Sequence, residues 1–151
     1  TLIGNGPGLA AATRMLAEQA KAAGAQAIAG IEARGFVFGA AVAVQLGLGF
    51  VPVRKPGKLP VPVLALDHAL AYGTDTLEFD PTAISTGQRV VLIDDLIATG
   101  GTALAAAQLL RQAGAAVDHA LFVIDLPDLG GAEKLRAAGV AAEALVDFAG
   151  H

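Results

Sequence analysis

Short apolar runs recur along the chain and are separated by stretches with helical periodicity. The runs at residues 27–31, 89–93 and 117–124 are largely apolar, which is typical of strands buried on both faces of a sheet. Shorter runs at residues 50–53 and 144–148 predict two further strands. The chain is therefore expected to build a sheet of at least five strands.

Helical periodicity fills much of the sequence between these strands. Four helices are predicted, over residues 7–23, 36–46, 102–113 and 131–138. Gly24, Gly47 and Gly114 follow the first three and act as stop signals. Because strands alternate with helices, the pattern favours an α/β fold with a parallel sheet. Ligands of such folds bind at the carboxyl ends of the strands.

Residues 60–81 interrupt this alternation. Pro60 and Pro62 exclude a central strand there, because proline has no N–H to donate to a strand ladder. Residues 77–79 alternate between apolar and polar as a solvent-facing strand does, so the segment is predicted to end in a hairpin. Long connections in compact domains are usually functional, and a lid over a site is the favoured interpretation.

Composition narrows the class of protein. Hydrophobic residues make up 54% of the chain, which excludes disorder. Its length of 151 residues predicts a single domain over residues 1–151. The 10 Lys and Arg residues against 14 Asp and Glu give a net charge of −4, which argues against a nucleic-acid binder that relies on bulk charge. The absence of cysteine excludes a disulfide framework and suits a reducing cytoplasm.

One stretch, residues 35–53, carries no charged residue and approaches the length of a membrane span. It is interrupted by Gln45, Gly47, Gly49 and Pro52. A short helix followed by a buried strand explains it better, and no membrane partner is expected.

The segment VVLIDDLIATGGTA, residues 90–103, places two kinds of polar group at the end of a predicted strand. Asp94 and Asp95 follow the buried run, and carboxylates there need hydroxyl, cation or base partners. The turn at residues 99–102 opens the next helix, and its glycines let backbone N–H groups approach an anion. The combination predicts a pocket for a phosphorylated sugar. A helix cap with ordinary loop acids explains either half alone, but less easily both together.

A second polar cluster, RKPGK at residues 54–58, holds three of the ten basic residues. It follows the strand predicted at residues 50–53 and shares the sheet edge with the acid pair, so an anion partner is at least as well supported as a solvated loop. Arg34 lies in another turn at a strand end and offers a planar donor fork suited to phosphate. Asp118 and His119 lack the companions that a zinc site needs, and we expect no metal site built by the protein.

These motifs resemble those of a known family. VVLIDDLIATGGTA is similar to the phosphoribosyl pyrophosphate (PRPP) motif of the type I phosphoribosyltransferases. The stretches EARGF (residues 32–36), VRKPGKLP (residues 53–60) and DLPDLGG (residues 125–131), with the pair Tyr72 and Gly73, resemble in order and spacing the members of that family that act on adenine. The similarity extends from about residue 1 to residue 151.

The resemblance implies an α/β fold of the type I phosphoribosyltransferase class. Its features are a mostly parallel twisted sheet flanked by helices and a long lid or hairpin loop at about residues 55–80. The implied reaction is transfer of ribose 5-phosphate from PRPP to adenine, which yields AMP and pyrophosphate in purine salvage, with Mg²⁺ held mainly by PRPP. The resemblance also implies a homodimer, while the lack of cysteine favours the cytoplasm and the net charge argues against a nucleic-acid partner.

Roles for individual residues are carried over from the family position by position. The resemblance implies that Asp94 and Asp95 hold the ribose 2′- and 3′-hydroxyls and that Tyr72, in the lid, takes part in catalysis. Leu126 would flank the purine ring, and Arg54 would reach a neighbouring subunit's site. The remaining implied contacts are to the 5′-phosphate from Ala98, Thr99, Gly100, Gly101 and Thr102, and to pyrophosphate from Arg34, Lys55 and Lys58.

Three features depart from the family's pattern. Ala71 stands where members commonly carry a glutamate before the lid tyrosine, and His68 stands where another tyrosine is common. The family's N-terminal hood, which contacts adenine through its backbone, would lie upstream of Thr1 and is absent from these residues. Two alternatives therefore stay open: a non-catalytic PRPP-sensing regulator, and a phosphoribosyltransferase for another base.

Overall fold

The computed structural model describes residues 2–54, 64–67 and 76–148, with residues 64–67 and 76 described by their backbone. Several residues singled out from the sequence lie outside the described residues: Lys55, Lys58, His68, Ala71 and Tyr72. Most of the predicted lid lies outside them as well.

Strands and helices alternate along the described residues. The helices are α1 (Gly6–Ala22), α2 (Arg34–Leu46), α3 (Gly101–Gln112) and α4 (Gly131–Ala137). The strands are β1 (Ala27–Ile31), β2 (Gly49–Val53), β3 (Leu64–Asp67), β4 (Thr76–Phe79), β5 (Arg89–Ile97), β6 (Ala116–Asp125) and β7 (Ala141–Asp147). The alternation predicted from the hydrophobic pattern is confirmed.

Five of the strands form one sheet in the order β2-β1-β5-β6-β7, and every neighbouring pair is parallel. Strands β3 and β4 form a separate antiparallel pair, the hairpin expected in the middle of the chain. The parallel sheet brings the carboxyl ends of β1, β5 and β6 to one edge. This edge therefore holds Arg34 and Leu126, which follow β1 and β6, and the acid pair Asp94 and Asp95 near the end of β5.

Helices cover both faces of the sheet. Helices α1 and α2 pack on one face, whereas α3, α4 and β4 pack on the other. Side chains of β5 alternate between the two cores: Val91 and Ile93 belong to the first, Val90 and Leu92 to the second. Because both faces are covered, all four residues are fully buried, which explains why the strand shows an unbroken apolar run.

Local signals set the ends of the helices. The Oδ1 atom of Asn5 accepts a hydrogen bond from the Gly8 N–H at 2.8 Å and caps α1, whose first turn contains Pro7. Helix α2 ends at Gly47, which has a φ of 69°, a conformation that glycine adopts without steric cost.

Two details of the sequence prediction are wrong. Strand β5 was expected to stop at residue 93, but it pairs with β6 as far as Ile97, so Asp94 and Asp95 lie within the strand. Residues 77–79 were expected to face solvent, yet all three are buried, including Glu78 at 7% exposure. The Arg54 and Glu78 backbones exchange two hydrogen bonds of 2.8 Å, which attach β4 to the end of β2.

The uncharged stretch at residues 35–53 forms most of α2 and all of β2, as the sequence predicted. Among the described residues, no helix combines the length and apolar character that crossing a bilayer requires.

Candidate active site

Two adjacent carboxylates lie near the carboxyl end of β5, the central strand of the sheet. The Asp94 side chain turns back on the chain, and its Oδ1 atom accepts a hydrogen bond from the Asp95 N–H at 2.8 Å. The Oδ2 atom of Asp95 lies 2.7 Å from Nε of Arg34, the first residue of α2. The side chains of Arg34 and Asp95 are 68% and 22% exposed. The pair is therefore accessible and open to exchange with a ligand.

Asp94 occupies the space that Gly35 leaves by having no side chain. A Cβ atom added at Gly35 would lie 2.8 Å from Oδ1 of Asp94 and 3.1 Å from the Ile93 carbonyl oxygen. Burial of the carboxyl group raises the pKa of Asp94 from 3.8 to about 8, and the negative charge of Asp95 adds to this effect. The Asp95 N–H and the Arg34 guanidinium offset part of it, because both favour the charged form. The acid pair thus carries a proton at neutral pH.

The turn between β5 and α3, residues 98–102, is the predicted anion cradle. Gly100 has a φ of 83°, and its carbonyl oxygen accepts the Leu104 N–H at 2.9 Å, the first hydrogen bond of α3. The N-cap residue is Gly100, which has no side chain to form a cap. The N-terminus of a 12-residue helix provides N–H donors and a partial positive charge for an anion. The structure therefore brings the acid pair and the cradle together at the end of one strand.

Leu126 follows β6 at the same edge of the sheet. Its N–H donates to the Ile97 carbonyl oxygen at 3.0 Å, which ties the start of the Leu126 segment to the end of β5. The residue is half-buried and leads into a short 3₁₀ turn, Pro127–Leu129. Leu126 therefore lies at the same edge of the sheet as the acid pair and the turn at residues 98–102.

Arg54 lies over an aromatic ring of its own chain. Its guanidinium carbon is 5.2 Å from the centroid of the Phe36 ring, and Phe36 meets Phe50 edge to face at 5.8 Å. The Nε atom of Arg54 is buried and has no hydrogen-bond partner among the described residues. Phe36 lies two residues after Arg34, so both arginines belong to the same end of the sheet.

Comparison with known proteins agrees with this geometry. The chain matches the model of the phosphoribosyl transferase domain over residues 3–134. It is 70% identical over 151 residues to the adenine phosphoribosyltransferase of Novosphingobium aromaticivorans, covering 100% of this chain and 85% of that protein. The chain belongs to the adenine phosphoribosyltransferase family. The resemblance stated from the sequence is thereby confirmed.

Solved adenine phosphoribosyltransferases share the fold closely. The enzyme of Thermoanaerobacter pseudethanolicus superposes with a TM-score of 0.89 at 43% identity, covering 97% of this chain and 84% of that one. The Saccharomyces cerevisiae enzyme, solved with an imino-altritol bisphosphate and adenine, gives a TM-score of 0.87 at 36% identity, with coverages of 95% and 82%. The predicted type I phosphoribosyltransferase fold is confirmed.

The structure of this adenine phosphoribosyltransferase family member also contains features that the sequence did not reveal. Asp125, directly before Leu126, has an Oδ1 atom that is buried and has no hydrogen-bond partner among the described residues. Burial raises the pKa of Asp125, and Arg136 and Asp147 act on it in opposite directions. The close approach of Gly35 to Asp94 was equally hidden. An acid or a glycine in a motif gives no sign of its neighbours across the sheet.

Proposed function

We propose that this chain transfers the 5-phosphoribosyl group of PRPP to N9 of adenine and releases AMP and pyrophosphate, a purine salvage reaction. The observation that carries the proposal is the acid pair beside an anion cradle at the end of β5, in a chain of this family. Either feature alone has a structural explanation. Together they match the two ends of ribose 5-phosphate.

The ribose 5-phosphate half of PRPP is assigned to β5 and the turn that follows it. Asp94 and Asp95 accept hydrogen bonds from the ribose hydroxyls, and the backbone N–H groups of residues 98–102 donate to the 5′-phosphate. Hydroxyl donors favour the charged form of a carboxylate, so binding of the sugar expels the proton that Asp94 holds in the free protein.

The pyrophosphate half is assigned to the basic groups at the same edge. Arg34 is the described member, and Lys55 and Lys58 are assigned from the family pattern. Arg34 exchanges its contact with Asp95 for the anion, which frees that carboxylate for the sugar. For Arg54 we propose a contact with a neighbouring subunit's ligand, which requires the guanidinium to leave Phe36.

The chemical step breaks the C1′–O bond, and the electron pair leaves with pyrophosphate. Adenine N9 forms the new bond to C1′ and passes its proton to a base at the site. A neutral His68 in the lid can accept it and, once protonated, act as a proton donor, whereas Ala71 has no ionisable group. Leu126 holds the purine ring in line. Tyr72 and the lid exclude water, which would otherwise hydrolyse a sugar that develops positive charge.

Mg²⁺ fits this site as a partner of the substrate. Asp94 and Asp95 offer carboxylate oxygens, the ligand type that Mg²⁺ takes in proteins. Across the described residues, no group of three or more His, Cys, Asp or Glu side chains is placed to hold a metal. We therefore assign most of the metal's ligands to PRPP and water. The bound ion supplies neutralisation of the charge on the departing pyrophosphate.

We further propose a cytoplasmic homodimer. Val37 and Val44 lie seven residues apart on α2, are 39% and 80% exposed, and so present an apolar face next to β2, the edge strand of the sheet. The lack of cysteine suits the cytoplasm. Analytical ultracentrifugation measures the assembly, and a monomer at micromolar concentration would contradict it.

The activity is tested by incubating the purified chain with PRPP, Mg²⁺ and adenine and measuring AMP and pyrophosphate. We expect both products in equal amounts, with guanine and hypoxanthine reacting far more slowly. Asp118→Asn, which changes an exposed aspartate on β6, is the control for Asp95→Asn. PRPP binding without turnover of any base would support the sensing regulator, and faster turnover of another base would support the related transferase.

A further inference from the structure

The segment that follows β6 packs backbone against backbone on the anion cradle. The Gly131 N–H donates to the Ala98 carbonyl oxygen at 3.0 Å, and the Leu126 N–H donates to the Ile97 carbonyl oxygen at the same distance. These two hydrogen bonds join residues 126–131 to the end of β5 and the first residue of the cradle. Both bonds are made by main-chain atoms, so they cannot be predicted from the side chains in the sequence.

Gly131 has no room for a side chain. A Cβ atom there would collide with the Ala98 carbonyl oxygen and would lie 2.7 Å from Cγ1 of Ile97 and 2.9 Å from the Gly100 nitrogen. The contact is reciprocal, since a Cβ atom at Gly100 would lie 2.9 Å from both Cα and the carbonyl oxygen of Gly131. Main-chain atoms cannot move aside as the end of a flexible side chain does.

The backbone conformation of Gly131 does not call for glycine. The residue is the first of α4 and is not among the glycines with positive φ, so alanine can adopt its backbone conformation. The preceding Gly130 differs, because it has a φ of 77° and nothing within 4 Å of its would-be Cβ. The reason for glycine at position 131 is therefore its contact with residues 98–100.

We propose that Gly131 is a positioning residue for the phosphoribosyl transfer. Its N–H and its lack of a side chain fix the Ala98 carbonyl and thereby the direction in which the N–H groups of residues 99–102 point. This inference rests on the proposed function, because it requires that the cradle bind the 5′-phosphate. Beyond that function, we infer that residues 126–131 hold the cradle in its conformation. The same segment contains Leu126, which is assigned to the purine ring.

The test compares the affinities of AMP and adenosine by calorimetry. Both contain the base and ribose, and AMP alone contains the 5′-phosphate. We expect Gly131→Ala to weaken AMP binding about tenfold or more while adenosine binding changes less than about twofold. The control is Gly139→Ala, two residues beyond the end of α4. Gly139 has a φ of 81°, so alanine strains the fold there, but its nearest neighbour is Arg111 at 3.7 Å rather than the cradle.

The outcomes separate the two proposals. If the unmodified chain binds adenosine as tightly as AMP, the phosphate site and this inference both fail. If AMP binds more tightly and Gly131→Ala preserves the full difference, the inference alone fails. A loss shared equally by Gly139→Ala would show an effect of fold stability and also overturn it.

A measurement on the unmodified chain covers the case in which Gly131→Ala does not fold. Hydrogen exchange of the Gly131 amide reports on its bond to Ala98. AMP is expected to slow this exchange severalfold, and adenosine is expected to leave it unchanged. Equal exchange rates with the two ligands would overturn the inference without any substitution.

Discussion

The proton on the acid pair leads to a stability prediction for Asp94→Asn. The substitution keeps the shape of the side chain and an oxygen that can accept the Asp95 N–H, but it removes the titrating group. The pKa of Asp94 is raised from 3.8 to about 8, so between these values the folded chain holds a proton that the unfolded chain has released. The free energy of unfolding therefore falls as pH rises through this window and is constant above it.

The magnitude follows from the pKa. With a folded-state pKa of about 8, ionisation of the Asp94 carboxyl lowers the free energy of unfolding by about 2 kcal/mol between pH 6 and pH 8. Asp94→Asn removes this contribution, so its stability should depend less on pH by about that amount. All other groups are common to the two proteins, so their contributions cancel in the comparison.

Urea unfolding at pH 6, 7 and 8 measures the effect. From pH 6 to pH 8 the unmodified chain should lose about 2 kcal/mol of unfolding free energy that Asp94→Asn keeps, so the variant gains that much stability relative to it. Asp118→Asn, at an exposed position on β6, should show no such gain. Parallel pH profiles for Asp94→Asn and the unmodified chain would refute a carboxyl group that is protonated because it is buried.

Three further predictions concern the site and its support. Asp95→Asn should raise the KM for PRPP about tenfold or more, because the variant loses a charged hydrogen-bond acceptor for the sugar. Its Tm should change little, because the partly exposed ion pair with Arg34 adds only about 0–1 kcal/mol to stability. A variant that unfolds would show that Asp95 has a structural role. Tyr72→Ala should lower kcat more than PRPP affinity, and unchanged activity would remove Tyr72 from the mechanism. Gly30→Ala would place a Cβ atom 2.6 Å from the Gly35 carbonyl oxygen and 2.8 Å from the Phe50 ring, and it should cost about 1–3 kcal/mol in urea unfolding. Gly49→Ala, with nothing within 4 Å of its Cβ atom, is the control, and equal stabilities of the two variants would contradict this close packing.

The sequence predicted the elements whose signals are local. Strand β1 has the bounds predicted from the apolar run at residues 27–31, because both faces of the strand are covered and every position is buried. Asp94 and Asp95 were recognisable because acids after a buried strand need partners, and the glycines at residues 100–101 because they precede a helix.

The features that the sequence could not predict depend on neighbours distant in the chain. The end of β5 is set by the length of β6, so the strand continues through the acid pair. Glu78 is buried because β4 is held to the end of β2 through Arg54. Gly131 contacts Ala98 and Gly100, which are 33 and 31 positions away in the chain, through main-chain atoms, so a pattern of side chains does not reveal the contact.

The central claim is that one crevice holds both ends of ribose 5-phosphate. A crystal structure of the chain with AMP bound tests it most directly. We predict that the ribose hydroxyls lie within hydrogen-bond distance of Asp94 and Asp95. We also predict that the 5′-phosphate oxygens accept hydrogen bonds from the N–H groups of residues 98–102. A phosphate bound elsewhere, with the Arg34–Asp95 ion pair intact and the turn empty, would contradict it.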